Sequence, residues 1–169
     1  VQHSGMARQS FRNSATLAMV TVAAIAMLAA TNAASPQQPG DPPAFQQPMP
    51  LHPTLGNFKR KITTSVPEAQ AYFDQGVKLI YAFNMQEASR SFREAQKRDP
   101  NCAMCFFGEA WSWGAYLNGA LNAGNAPRAY AAIQQAVKLR DKATNVEREL
   151  IDAMAVRYVA VHDNATRAK

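Results

Sequence analysis

The stretch Tyr72–Pro100, YFDQGVKLIYAFNMQEASRSFREAQKRDP, decides the fold. Counting back from Pro100, the residues Ala95, Phe92 and Ala88 share one helical face, and Leu79, Gly76 and Tyr72 share another. Each has a mechanical job in a pair of antiparallel helices. Gly76 and Ala88 let the two backbones approach, and Tyr72 and Phe92 fill the space between them. Ala95 leaves room for a following helix. Pro100, without an N–H and with a ring that clashes against the preceding turn, ends the second one. The first-helix pattern returns 34 residues later as Phe106, Ala110 and Trp113. The second-helix pattern returns as Ala129, Ile133 and Ala136, delayed by seven residues that fall in the Gly-rich stretch Tyr116–Gly124. A third first-helix opens at Thr144, and its second half is not visible before Lys169.

Local signals agree with this reading. Ser65-Val66-Pro67-Glu68, Asn84-Met85-Gln86-Glu87 and Thr144-Asn145-Val146-Glu147 all have the spacing of a helix-capping box. Helices are predicted from Ser65, from Asn84, from Cys102 to about Tyr116, from Asn125 and from Thr144. Gly56–Thr64 reads as a short extended segment, and no strand pair is visible. The expected class is all-α. A 34-residue period of this type is that of the tetratricopeptide repeat, so residues 55–169 are expected to stack antiparallel helical hairpins into a right-handed superhelix. With its last helix unpaired, the domain is expected to be the N-terminal portion of a longer repeat protein.

Composition narrows the function classes. The chain has 169 residues, 47% hydrophobic and 18% charged, which suits one small domain and excludes a large multidomain enzyme. The three histidines, His3, His52 and His162, are far apart, which argues against a histidine-rich metal enzyme. The net charge of +6 is spread among mixed signs, as in Lys97-Arg98-Asp99 and Glu147-Arg148-Glu149. Lys59-Arg60-Lys61 is the single basic cluster. No nucleic-acid motif accompanies it, so it reads as a solvated face.

Residues 1–33 read as an export signal. Arg8 and Arg12 precede an apolar run from Leu17 to Ala30, and small residues follow through Ala34. The run is short for a membrane span, which needs about 20 apolar residues. Cleavage is expected after Ala33, and the address periplasmic or secreted. Residues 34–54 follow as a Pro/Gln-rich linker; Ser35–Pro50 alone carries six prolines and four glutamines. It is expected to be extended and to bury no core.

Asp99–Asn118 (DPNCAMCFFGEAWSWGAYLN) and Lys142–Tyr158 (KATNVERELIDAMAVRY) resemble the N-terminal part of a bacterial exported tetratricopeptide-repeat family. That family repeats D-P-x-C-A-M-x-x-W-G-E-A and, further on, E-R-x-L-I-x-A-L-x-x-R-Y. The resemblance covers roughly residues 55–158. Phe107 stands where the family often has Trp, and Tyr81 where it often has His. It implies a fold and an address more than a reaction.

Three readings stand for Cys102-Ala-Met-Cys105: a local disulfide or structural pair, two buried thiols, or a redox couple. A c-type haem would need His where Phe106 stands, and zinc would need two further ligands. Glu109, set among aromatics, is expected to pair with Arg or Lys of a neighbouring helix, and His162-Asp163 makes no catalytic triad. No catalytic residue, metal or cofactor is expected. The offsets that would face the groove of a tetratricopeptide superhelix are Phe73, Val77 and Tyr81, with Phe107 and Trp111. The expected function is therefore a non-catalytic scaffold that binds a peptide or protein on its concave face, with no nucleic-acid partner and membrane contact only through the signal peptide. The alternatives are a periplasmic thiol/disulfide redox protein using Cys102 and Cys105, or an accessory repeat domain of a larger enzyme. Mass spectrometry of protein from its native host should find the mature N-terminus near Ala34; intact Met6 recovered from the soluble cytosol would overturn the export reading.

Overall fold

The computed structural model describes Asp41–Val161. The expected signal segment, the first residues of the expected linker and the His162-Asp163 pair lie outside the described residues. Within them the chain is all-helical. The helices are α1 (Pro67–Tyr81), α2 (Met85–Arg98), α3 (Ala103–Trp113), α4 (Ala126–Leu139) and α5 (Asn145–Ala155), with short 3-10 turns at Pro43–Gln46 and Arg140–Lys142. Each helix packs on the next in sequence, and α3 also touches α1 and α5.

Of the three expected capping boxes one forms in full and one in half. Thr144 and Glu147 form a reciprocal capping box at α5, and the Asn84 side chain accepts the Glu87 N–H at α2. The box expected at Ser65 does not form. The residue before the first turn is Val66 with no side-chain cap, and Pro67 opens the helix without an N–H to satisfy. Helix α3 stops at Trp113, three residues short of the expected end, because Gly114 turns into extended backbone. Beyond it Tyr116 and Gly119 pair across a tight turn.

Phe92 sits at the centre of the core with no exposed surface. Its ring lies against two helix backbones at once. A Cβ added at Gly76 of α1 would meet the ring at 2.6 Å, and one added at Gly108 of α3 would also collide with it. Phe73 packs on the same ring with centroids 5.6 Å apart. The other residues of the expected repeat pattern, Tyr72, Leu79, Ala88 and Ala95, are likewise buried.

The linker expectation needs correction from Asp41 onward. Met49 is 2% exposed, and Phe45 stacks on Trp113 at 5.6 Å between ring centroids. Proline limits this segment to one 3-10 turn, yet that turn and the extended backbone after it place Phe45 and Met49 against helices already formed. The carbonyls that proline leaves unpaired are taken by side chains of α1 and α2, as described below.

Gly76→Ala should destabilise the domain by about 1–3 kcal/mol, because overpacking outweighs the better helix propensity of alanine. Phe92→Leu should shrink that penalty by removing the ring that the new methyl strikes. Thermal melts of the two single variants and the double variant measure the coupling. An equal Gly76→Ala penalty in both backgrounds would show that the contact does not limit the packing.

Candidate partner-binding surface

Helix α1 carries two faces with different work. Its apolar face enters the core, while Gln70, Asp74, Gln75 and Lys78 face the segment that precedes the helix. These side chains hold the main chain of that segment and not its side chains. The Lys78 ammonium donates to the Gly56 carbonyl at 3.1 Å, and Asp74 accepts the Arg60 N–H at 2.9 Å. Gln70 accepts the Ile62 N–H at 3.0 Å and donates to the Arg60 carbonyl at 2.8 Å. Gln75 accepts the His52 N–H at 2.6 Å and donates to the Pro50 carbonyl at 2.9 Å. The Tyr72 hydroxyl donates to the Met49 carbonyl at 2.9 Å, and Arg90 of α2 reaches the Gln47 carbonyl at 3.2 Å. An extended chain has no internal hydrogen bonds, so these side chains supply partners that its own backbone lacks.

The segment is fixed at both ends by charge. At its start, Asp41 accepts from Arg93 of α2 at 2.6 Å, and Arg93 bridges to Glu109 of α3 at 2.6 Å. Glu109 also accepts from Gln96 at 2.7 Å and from the Trp113 indole at 3.3 Å. This is the helix-to-helix pairing expected for Glu109. Burial by itself would lower the Arg93 pKa; the charges and hydrogen bonds of Glu109 and Asp41 outweigh it and raise the pKa above its ordinary value. The Arg93 guanidinium lies 4.6 Å from the Phe45 ring centroid, and Arg128 of α4 lies 4.7 Å from that of Trp113.

At its other end, Thr63 donates through its N–H (2.8 Å) and its hydroxyl (2.5 Å) to Glu147 of α5. Thr64 donates to Asp99 at 2.6 Å. Burial raises the Glu147 pKa, but the bonds from Thr63 and Thr144 overcome it, so the carboxyl titrates below its ordinary 4.5.

The five residues expected to line a groove divide. Phe73, Val77 and Phe107 are buried in the core, because the positions of α1 and α3 that they occupy face α2 and each other. Tyr81 is 70% exposed, and Trp111 is partly buried. Their rings meet edge-on at 6.2 Å; Phe58 adds to Tyr81 at 6.4 Å, and Phe107 to Trp111 at 6.4 Å. Gln70, Asp74 and Lys78 recur every fourth residue, the signal that marks one helix face, yet such a polar stripe reads equally as a solvated surface. Only the segment lying on it identifies its use.

Cys102 and Cys105 are joined by a disulfide, and both are fully buried. The Cys105 N–H donates to the Cys102 sulfur at 3.1 Å, capping α3. Among the described residues no group of three or more His, Cys, Asp or Glu side chains is placed to hold a metal ion, and no helix is long and apolar enough to cross a membrane. No family model, curated protein or solved structure gives a significant match to the chain.

Because the folded pKa of Glu147 is depressed, its bonds stabilise the domain above the ordinary carboxylate range, and that stability is lost as pH falls through the folded value. Glu147→Gln should therefore melt lower than the parent chain near neutral pH, with the gap closing in acid. A gap independent of pH would show that the charge on Glu147 contributes nothing.

Proposed function

We propose that the chain is an exported, non-catalytic scaffold of tetratricopeptide type, periplasmic or secreted, whose helices hold extended polypeptide. The observation that carries this reading is the row of side chains on α1 that hydrogen-bonds main chain between Met49 and Ile62. A surface that grips backbone amides accepts many sequences, and apolar pockets beside it then select among them. The Tyr81–Trp111 pair, next to the segment already held, is the open part of that surface. The repeat spacing, the central Phe92 and the contacts of α3 with both α1 and α5 support a stack of helical hairpins. A thiol–disulfide exchange role is disfavoured, because attack on a disulfide requires access and both sulfur-bearing residues are sealed in the core.

A displayed library of random peptides selected on the full chain should enrich extended, apolar-anchored sequences. Tyr81→Ala and Trp111→Ala should each weaken the selected peptides by about 2 kcal/mol or more, roughly 30-fold, with unchanged melting behaviour. Undiminished binding by both variants would move the site elsewhere, and failure to enrich any peptide would end the scaffold reading.

A further inference from the structure

Eight of the ten large exposed apolar side chains among the described residues are gathered at one end; Leu51 and Val146 lie elsewhere. Phe58, Tyr81, Phe83, Tyr116, Leu117, Val156, Val159 and Val161 are all exposed, with Leu117 at 86%. They sit where α1, α3 and α5 finish, or on the turns that follow. Ring contacts join them across elements: Phe58 meets Tyr81, Tyr81 meets Trp111, and Phe83 meets Tyr116 at 6.4 Å. The end of α5 joins the same edge, because the Tyr158 hydroxyl lies against Gly114 at the end of α3.

The segments that supply these side chains carry no acid. No Asp or Glu occurs in residues 42–67, 75–86, 110–140 or 153–161, which supply all of these side chains. Glu87, in the first turn of α2, is paired with Arg90 at 2.8 Å. Lys59, Arg60 and Lys61, all exposed, follow directly on Phe58. Glu68, Asp99 and Asp141 lie instead at the start of α1 and on the turns that end α2 and α4, and Asp152, two-thirds of the way along α5, is paired with Arg140 at 2.6 Å.

Phe83 adds an independent sign. The Asn84 N–H donates to the Leu79 carbonyl and the Phe83 N–H to the Ile80 carbonyl, both at 2.9 Å, which is the Schellman closure of a helix. Phe83 occupies its left-handed position with φ +58°, where glycine or asparagine is usual, and leaves its ring 54% exposed. The residue thus costs the fold conformational strain as well as apolar exposure. Such strain is retained where the side chain has work outside the fold.

We infer that this acid-poor, aromatic end docks on an anionic lipid surface, with the rings of Phe83, Tyr116 and Tyr81 at headgroup depth and the exposed Lys59, Arg60 and Lys61 on the phosphates. Aromatic side chains favour that depth, and each cation near an anionic leaflet strengthens attachment about fivefold. The apolar side chains stand on hairpin turns, which suits a planar surface and not an extended peptide. This inference does not require the peptide-holding reading, although Tyr81 and the main chain around Arg60 belong to both surfaces.

The chain's two tryptophans, Trp111 and Trp113, both lie on α3 and therefore report on this end. The test uses the full chain with Ile25→Asp and Leu28→Asp, so that the N-terminal apolar run does not insert by itself. Vesicles of phosphatidylcholine alone are compared with vesicles of phosphatidylcholine and phosphatidylglycerol in equal parts. Binding to the mixed vesicles, with tryptophan emission quenched by brominated lipid, is expected. Phe83→Gly with Leu117→Ser should weaken binding about tenfold or more. Phe83→Gly alone should raise the melting temperature, since it relieves the left-handed residue. Lys59→Glu with Lys61→Glu should abolish the preference for anionic vesicles. Failure to bind either vesicle, equal binding to both, unquenched tryptophan in the bound state, or full binding by the Phe83/Leu117 variant each overturns the proposal. Self-association in sedimentation that the same variant removes, with vesicles unbound, would make this end a protein contact and would also overturn it.

Discussion

One ring and two glycines set the spacing of the helices. Phe92 of α2 fills the space between α1 and α3, and it fits because Gly76 and Gly108 present bare backbone to its faces. The close approach of α1, α2 and α3 is the geometric consequence, and it brings Arg93 within 2.6 Å of Glu109 on the next hairpin. In a core packed at crystal density a methyl group has nowhere to go, so the three positions act as a unit. The Gly-rich loop between α3 and α4 leaves this wedge untouched, since its length falls outside the core, where added length is tolerated.

The second constraint is polar. A proline-rich segment does not pair its own backbone, and burying it leaves carbonyls and N–H groups to be satisfied from elsewhere. Here α1 supplies Gln70, Tyr72, Asp74, Gln75 and Lys78 in turn, and ion pairs fix the start of the segment to α2. The buried Arg93–Glu109–Asp41 group is tolerated because Gln96 and Trp113 fill further acceptor positions on Glu109. Through Thr63 and Glu147 the same segment ties α1 to α5, residues far apart in the chain.

The arrangement has a polarity along the helix axes. One end mixes charges of both signs; the other exposes aromatic and aliphatic side chains with cations alongside. The left-handed Phe83 stands beside turns without a single acidic residue, whereas the polar side chains of α1 that hold residues 50–62 face along the helix. Tyr81, at the end of α1, belongs to the exposed aromatic group.

The sequence by itself determined the helices and much of the core. Small and aromatic residues at fixed spacings follow from helical periodicity, so Phe92, Gly76, Ala88 and Ala95 were legible without coordinates, as were the caps at Asn84 and Thr144. Gly108 was not, because its place opposite Phe92 depends on how the second hairpin stacks on the first. The division of the groove candidates, with Phe73, Val77 and Phe107 inside and Tyr81 and Trp111 at the surface, was also decided by tertiary structure. Helical periodicity assigns a face, but not which neighbour covers it. The same reason hid the role of residues 41–64. Composition shows that a proline-rich segment cannot fold alone, whereas its burial depends on donors and acceptors contributed by helices that only the folded chain brings to it.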